Sequence, residues 1–160
     1  MPVVSAGVLL YRRGGARLEV LLVHPGGPFW AKKDRGAWSI PKGEYVDGED
    51  PLAAARREFE EELGTPPPDP PAGEATDLGE IRQKSGKRVR GWAIAGDLDV
   101  DAVVSNTCEV EWPPRSGKRI TIPEVDRAAW YGLEQAREKI NPGQAPLLDR
   151  LEELLGSSAG

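Results

Sequence analysis

Apolar residues are spaced along the chain in two rhythms. From Val3 to Tyr11 they are nearly continuous, with β-branched residues near the start, and from Leu18 to His24 they recur. Arg12-Arg13-Gly14-Gly15 lies between these runs as a turn signal, so the two predict a hairpin. Pro25-Gly26-Gly27-Pro28 ends the second run, Phe29 to Gly36 reads as a loop, and Trp38 to Ile40 reads as a short strand. Between Leu52 and Leu63 the rhythm becomes helical. At about 100° per residue, Leu52, Ala55, Phe59 and Leu63 fall in one narrow stripe, which predicts the core face. Asp50 suits the N-cap, Pro51 the first helical position and Gly64 the residue past the end.

Beyond this helix, Pro66 to Gly73 holds five prolines, which excludes helix and central strand and predicts a stiff surface loop. Leu78 to Gln83 and Lys87 to Leu98 read as an antiparallel pair turning at Ser85-Gly86. Thr107 to Trp112 reads as a strand, Pro113 to Gly117 as a loop, and Ala129-Trp130-Tyr131 as a short strand. Leu133 to Ile140 is helical, broken at Asn141-Pro142-Gly143. Ala145 to Leu155 is a last helix with Leu147, Leu148, Leu151 and Leu154 or Leu155 inward. The result is one α+β domain over 1–156, a mixed sheet with helices on its faces, followed by a loose tail over 157–160.

Composition narrows the function classes. A chain of 160 residues suffices for one domain with a sizeable core. The net charge of −5 implies no general polyanion-binding surface, so any nucleotide site must use local cations. One cysteine, Cys108, allows no intrachain disulfide. No apolar run approaches membrane-spanning length, and the first residues do not resemble a signal peptide. The expected compartment is the cytoplasm, with no membrane partner.

The chemistry is concentrated in the predicted helix. Glu58, Glu60, Glu61 and Glu62 put four carboxylates within five residues. Glu58, Glu61 and Glu62 fall in one arc beside the core stripe, and Glu60 points the other way. Glu58 with Glu62, and Glu58 with Glu61, are like-charge pairs at helical spacing, and the last two sit where the helix dipole disfavours anions. Each effect costs a few tenths of a kcal/mol, and a hard divalent cation would reverse the sign of all of them. The bland alternative for four acids alone is a solvated face.

The flanking spacing decides between these readings. Gly43, Glu49, Arg57, Glu58, Phe59, Glu61, Glu62 and Gly64 fit the Nudix box position by position over the 23 residues from Gly43 to Thr65. Thr65 alone departs, where an aliphatic residue is usual. Trp38-Ser39-Ile40-Pro41-Lys42 is similar to the strand that leads into such a box. The chain thus resembles the Nudix (MutT-like) hydrolases. The resemblance implies an α/β/α sandwich, with the mixed sheet between the acidic helix and the C-terminal helix. It also implies cleavage of a phosphorus–oxygen bond in a nucleoside diphosphate linked to another group, by metal-activated water, with Mg²⁺ or Mn²⁺ as cofactor.

Carried over residue by residue, Glu61 and Glu62 match metal ligands, and Glu58 matches the residue that binds metal or orients the water. The backbone carbonyl of Gly43 matches a further ligand. Glu49 and Arg57 match a pair that braces the loop against the helix. Glu44 is either a solvated acid or an added ligand. The family commonly uses one carboxylate from outside the box, and Glu109, Glu111 and Glu124 are the candidates; Glu124, before the Trp130 strand, is favoured.

The cations form three groups: Lys32, Lys33 and Arg35; Arg82, Lys84, Lys87, Arg88 and Arg90; and Arg115, Lys118 and Arg119. Lys42, Arg88 and Arg90 are the candidate substrate contacts, against a solvated hairpin for the Arg82–Arg90 group. Trp30, Trp92, Trp112 and Tyr45 are either core residues or platforms for a base, and His24 reads as structural. The leading expectation is a metal-dependent hydrolase of a nucleoside polyphosphate, either a nucleoside triphosphate or a dinucleoside polyphosphate. The alternatives are a diphosphate-sugar pyrophosphatase of the ADP-ribose type and a non-catalytic nucleotide-binding module. The partner is a small-molecule nucleotide with no dedicated nucleic-acid partner. The oligomeric state stays open, a homodimer included.

Overall fold

A computed structural model describes residues 4–14, 17–46, 48–67 and 75–159. The proline-rich loop beyond Pro67 lies outside them. Strand β1 (Val4–Gly14) pairs antiparallel with β2 (Arg17–Pro25), so the predicted hairpin forms; Arg12 to Gly14 belong to the ladder rather than to the turn. Strand β1 has a second partner on the same side, the three-residue β3 (Lys42–Glu44), which meets Ser5, Ala6 and Gly7. On its other side β1 runs parallel to β5 (Arg88–Ala95), which pairs with β4 (Thr76–Arg82). Strand β8 (Val125–Gly132) closes the far side along β2, giving the order β4-β5-β1-β2-β8 with β3 alongside β1. The sheet is therefore mixed, as expected.

Trp38 and Ser39 form isolated bridges, to Ile140 and Val23, instead of the predicted strand. A hairpin of β6 (Thr107–Glu111) and β7 (Arg119–Pro123) stands apart from the main sheet. Sequence reasoning placed β6 and missed β7.

Alternation along the strands divides the core into two layers. Ala6, Val8, Leu10, Leu21, Val23 and Ile94 pack against helix α1 (Pro51–Leu63) through Ala54, Ala55, Phe59 and Leu63. The predicted stripe is thus right except at its start: Leu52 is only half-buried and Ala54 takes its place. The opposite face carries Leu9, Val20, Leu22 and Val89 onto helix α2 (Leu133–Lys139) through Ala136, and onto helix α3 (Ala145–Ala159) through Leu147, Leu148 and Leu151. Leu154 and Leu155 both pack at its margin. Helix α3 runs past Leu155, where the apolar pattern ends. The molecule is an α/β/α sandwich.

The turn before α3 ties the far layer to the segment leading into β3. Gln144 is buried, and its side chain accepts from Ile40 N–H at 3.1 Å and donates to Ser39 Oγ and Gln83 Oε1 at 3.0 Å each. Asn141 N–H donates to Trp38 O at 2.7 Å. Such a buried amide network fixes one arrangement only when its bonds are made, as here. No helix among the described residues is long and apolar enough to cross a membrane.

Candidate functional site

Helix α1 is capped as its sequence dictates. Asp50 accepts from Ala53 N–H at 3.0 Å, Pro51 opens the helix, and Gly64 ends it with φ +78°. This fixes the rotation of the helix, which sets Phe59 and Leu63 inward and leaves Glu58, Glu61 and Glu62 half-buried along one edge. Glu60 is exposed on the far side, as its phase requires.

That edge faces β3. The Glu58 carboxylate lies against Gly43, so close that a Cβ there would come 2.1 Å from Glu58 Oε2. Arg57 joins Glu58 to the loop before the helix: its Nη1 is 2.9 Å from Glu49 Oε2 and its Nη2 3.2 Å from Glu58 Oε1. Arg57 thus links the Glu49 loop to the acid edge. Glu62 receives the backbone N–H of Lys42, yet its Oε2 is buried with no partner. Glu44 is exposed.

Glu124 arrives from the opposite side. Glu124 N–H donates to Asn106 O at 2.8 Å, and Asn106 N–H donates to Glu61 O at 3.0 Å. Ser105 Oγ accepts from Val125 N–H at 3.0 Å. The Ser105 hydroxyl and the Asn106 main chain therefore clip the Glu124 loop to the end of α1. Sequence reasoning missed these two residues, because the Asn106 main chain presents no signal in the residue pattern and a lone serine hydroxyl in a loop does not name its partner. Glu62, Lys42 and Glu124 line one cavity of about 130 Å³. The rival acids lie elsewhere: Glu109 is exposed and 3.8 Å from Arg119, and Glu111 accepts from Arg115 N–H.

The electrostatics follow from this packing. Burial pushes the Glu62 carboxyl up to about 8, against a partial offset from Lys42. Burial and the neighbouring Glu61 raise Glu58, and burial and Glu61 also raise Glu124. Burial lowers Lys42, with Glu62 opposing. Several carboxylates held close with one oxygen stripped of partners make a site strained without positive charge. The donor set is all hard oxygen, which fits Mg²⁺ or Mn²⁺ rather than a softer metal. No three His, Cys, Asp or Glu side chains among the described residues are already gathered at one point, so the acids are neighbours without forming a closed cage. Glu58, Glu61, Glu62 and the Gly43 carbonyl are groups that could hold such an ion.

The other sequence-predicted contacts divide. Lys42 reaches the acid cavity, and Lys87 lies close enough to depress it. Arg90 is paired with Asp77, and Arg88 stands 3.4 Å from Glu80 while keeping its Nε buried and unpartnered. Lys32, Lys33 and Arg35 are all exposed. His24 is fully buried and structural in its contacts: Nδ1 lies 2.8 Å from Asp126 and Nε2 2.6 Å from Lys33 O, fastening the loop after β2.

Comparison with known proteins agrees with this architecture. An RNA pyrophosphohydrolase of Rhodospirillum rubrum is 39% identical over 67 residues, a match spanning 40% of this chain and 39% of that protein. An Ap4A hydrolase of C. elegans, in a binary complex, superposes with a TM-score of 0.64 at 23% identity, covering 96% of this chain and 98% of that one. The NUDIX domain of Shewanella oneidensis NrtR, complexed with ADP ribose, superposes at 0.65 with 16% identity, covering 97% and 89%. At these identities the structures show a shared fold. The family model described as NUDIX domain matches residues 1–151. With the box residues, the sandwich and that match in agreement, the chain belongs to the NUDIX family, whose members hydrolyse pyrophosphate bonds in nucleoside phosphates.

Proposed function

We propose that this protein is a Mg²⁺- or Mn²⁺-dependent pyrophosphohydrolase acting on a nucleoside with several phosphates in a row, either a nucleoside triphosphate or a dinucleoside polyphosphate. The observation that carries the reading is the buried, unpartnered Glu62 Oε2 in the cavity that Lys42 and Glu124 also line. A bound divalent ion would supply phosphate neutralisation and a more acidic water there. The chain's own residues do the rest. Lys42 meets phosphate charge at the mouth of the acid edge. Glu58, its carboxyl raised by burial and by the neighbouring Glu61, aims the attacking water and takes its proton. Arg57 and Glu49 hold Glu58 to that direction. Glu124 adds a carboxylate from outside the helix.

Retention of every box acid favours catalysis over a nucleotide-binding module. The partial match to an RNA pyrophosphohydrolase supports hydrolysis of a pyrophosphate bond. The single cysteine fits a reducing compartment, the cytoplasm. A Mg²⁺ screen of nucleoside triphosphates, dinucleoside polyphosphates, 5′-triphosphorylated RNA and ADP-ribose tests the reading. Hydrolysis of ADP-ribose at least ten times more efficient than that of every polyphosphate, or no hydrolysis at all, would overturn it.

A further inference from the structure

The loop after β2 and the β6–β7 hairpin meet at two glycines. A Cβ on Gly26 would lie 2.0 Å from Pro123 O, and one on Gly27, whose φ is +95°, 2.6 Å from Ile122 Cδ1. Glycine lets this loop press its backbone onto β7. Between them stays a cleft of about 270 Å³, walled by Phe29 and Trp30 on one side and Val110, Trp112 and Ile122 on the other. Phe29 is 56% exposed although it has no polar end to satisfy. Its ring meets Trp30 edge-on at 5.1 Å between centroids, and the Lys33 ammonium stands 3.7 Å from its centre. The cleft adjoins the acid cavity. Pro25 and Glu124 line the cavity, Gly26 lines the cleft, and Gly26 N–H donates to Glu124 O at 3.1 Å.

We propose that this cleft seats the base of the nucleotide whose phosphates enter the acid site; the assignment rests on the polyphosphate reading above. Its volume is below the roughly 300–1,000 Å³ of pockets that take whole drug-sized ligands, so it suits one planar ring system. Aromatic walls grip any base through its π-face, with little dependence on base identity. The Lys33 ammonium at the rim suits a ligand that carries anions. Glu111, the acid at the cleft, already accepts from Arg115 N–H at 2.7 Å.

The test compares wild type, Phe29→Ala, Trp112→Ala and Trp112→Phe. Each is assayed on a nucleoside triphosphate and on ribose 5-triphosphate, which keeps the phosphates and lacks the base. A second arm follows the indole N–H resonances of Trp30 and Trp112 while a nucleoside monophosphate is added. The alanine variants should raise KM for the nucleotide roughly tenfold or more. They should shrink by the same factor the advantage of the nucleotide over ribose 5-triphosphate, and Trp112→Phe should restore most of it. Both resonances should shift with the monophosphate. An unchanged nucleotide advantage in the alanine variants, or resonances that stay in place, overturns the proposal. The resonance arm needs no turnover. Shifted resonances in a protein that hydrolyses no polyphosphate would remove the catalytic reading and keep the cleft; hydrolysis with unmoved resonances would do the reverse.

Discussion

The Glu58 carboxylate occupies the space that any side chain on Gly43 would need: a Cβ there would sit 2.1 Å from Glu58 Cδ. A glycine is required at this point for closeness of approach, so that strand backbone and helix carboxylate can stand together. Gly43→Ala should swing Glu58 away and lower kcat by roughly 10- to 100-fold, the effect of displacing a positioned group. Steady-state kinetics with a thermal melt would check this. Near wild-type kcat in a well-folded Gly43→Ala protein would show that Glu58 need not lie there.

Glu62 makes stability depend on pH in a direction unusual for a carboxylate. Its carboxyl rises from 4.5 to about 8 on folding. Between those values the folded chain keeps a proton that the unfolded chain releases, so the metal-free protein loses stability as pH climbs through that window and levels off above it. The effect is of the order of a few kcal/mol at most. Glu62→Gln should flatten most of the slope, leaving what Glu58 and Glu124 contribute, raise the melting temperature at pH 8 in chelator, and cut turnover by roughly 100-fold or more. Flat wild-type melts across that range, or near-normal turnover of the variant at saturating Mg²⁺, would contradict this account.

Arg57 stands between Glu49 and Glu58 at 2.9 and 3.2 Å. Its charge opposes the rise of the Glu58 carboxyl. Arg57→Gln should therefore shift the acidic limb of the kcat profile to higher pH and lower kcat with little change in KM. Glu49→Gln should lower kcat more weakly and without that upward shift, because Arg57 remains to hold the Glu58 carboxyl down. A variant whose only change is in KM would place Arg57 on the substrate instead.

The three acids outside the helix should separate cleanly. Glu124→Gln should lose activity at least tenfold, while Glu109→Gln and Glu111→Gln keep it, since those side chains engage Arg119 and Arg115 N–H on the separate hairpin. Loss of activity in Glu109→Gln or Glu111→Gln would relocate the outside carboxylate to that hairpin.

Substrate charge gives a fifth test. Across a series from nucleoside diphosphate to tetraphosphate, kcat/KM should rise, and the gain should shrink with added salt as screening sets in. Lys42→Met should flatten the series. A trend that ignores salt would point to contacts other than charge.

What could be read from the chain depended on which groups carry the information. The bounds of the acidic helix were legible, because its cap, proline, period and terminal glycine are all signals carried by residue type. Leu52 misled by size: it is only half-buried, and the small Ala54 is the residue fully buried against the sheet. Strand β7 was missed because Arg119-Ile120-Thr121-Ile122-Pro123 is short, ends in proline and pairs only with β6, so it borrows no pattern from the main sheet. The pairing of Arg90 with Asp77 and Arg88 with Glu80 depends on the register of β4 against β5, shifted between Asp77 and Gly79. No local pattern announces such a shift. Glu124 could be favoured among its rivals only through family resemblance, since its link to α1 runs through the Asn106 main chain.

The Gln144 network has a consequence for the order in which the protein is made. All the helix acids are present once Leu63 has been synthesised, yet Ile40, which leads into Lys42 and Gly43, is held by an amide 104 residues further on. A ribosome-bound chain stalled before Gln144 emerges would carry every box glutamate and lack the clamp on Ser39 and Ile40. Hydrolytic competence is therefore expected to switch on late in translation, when the C-terminal layer closes, so that the catalytic edge stays slack until the rest of the domain has arrived.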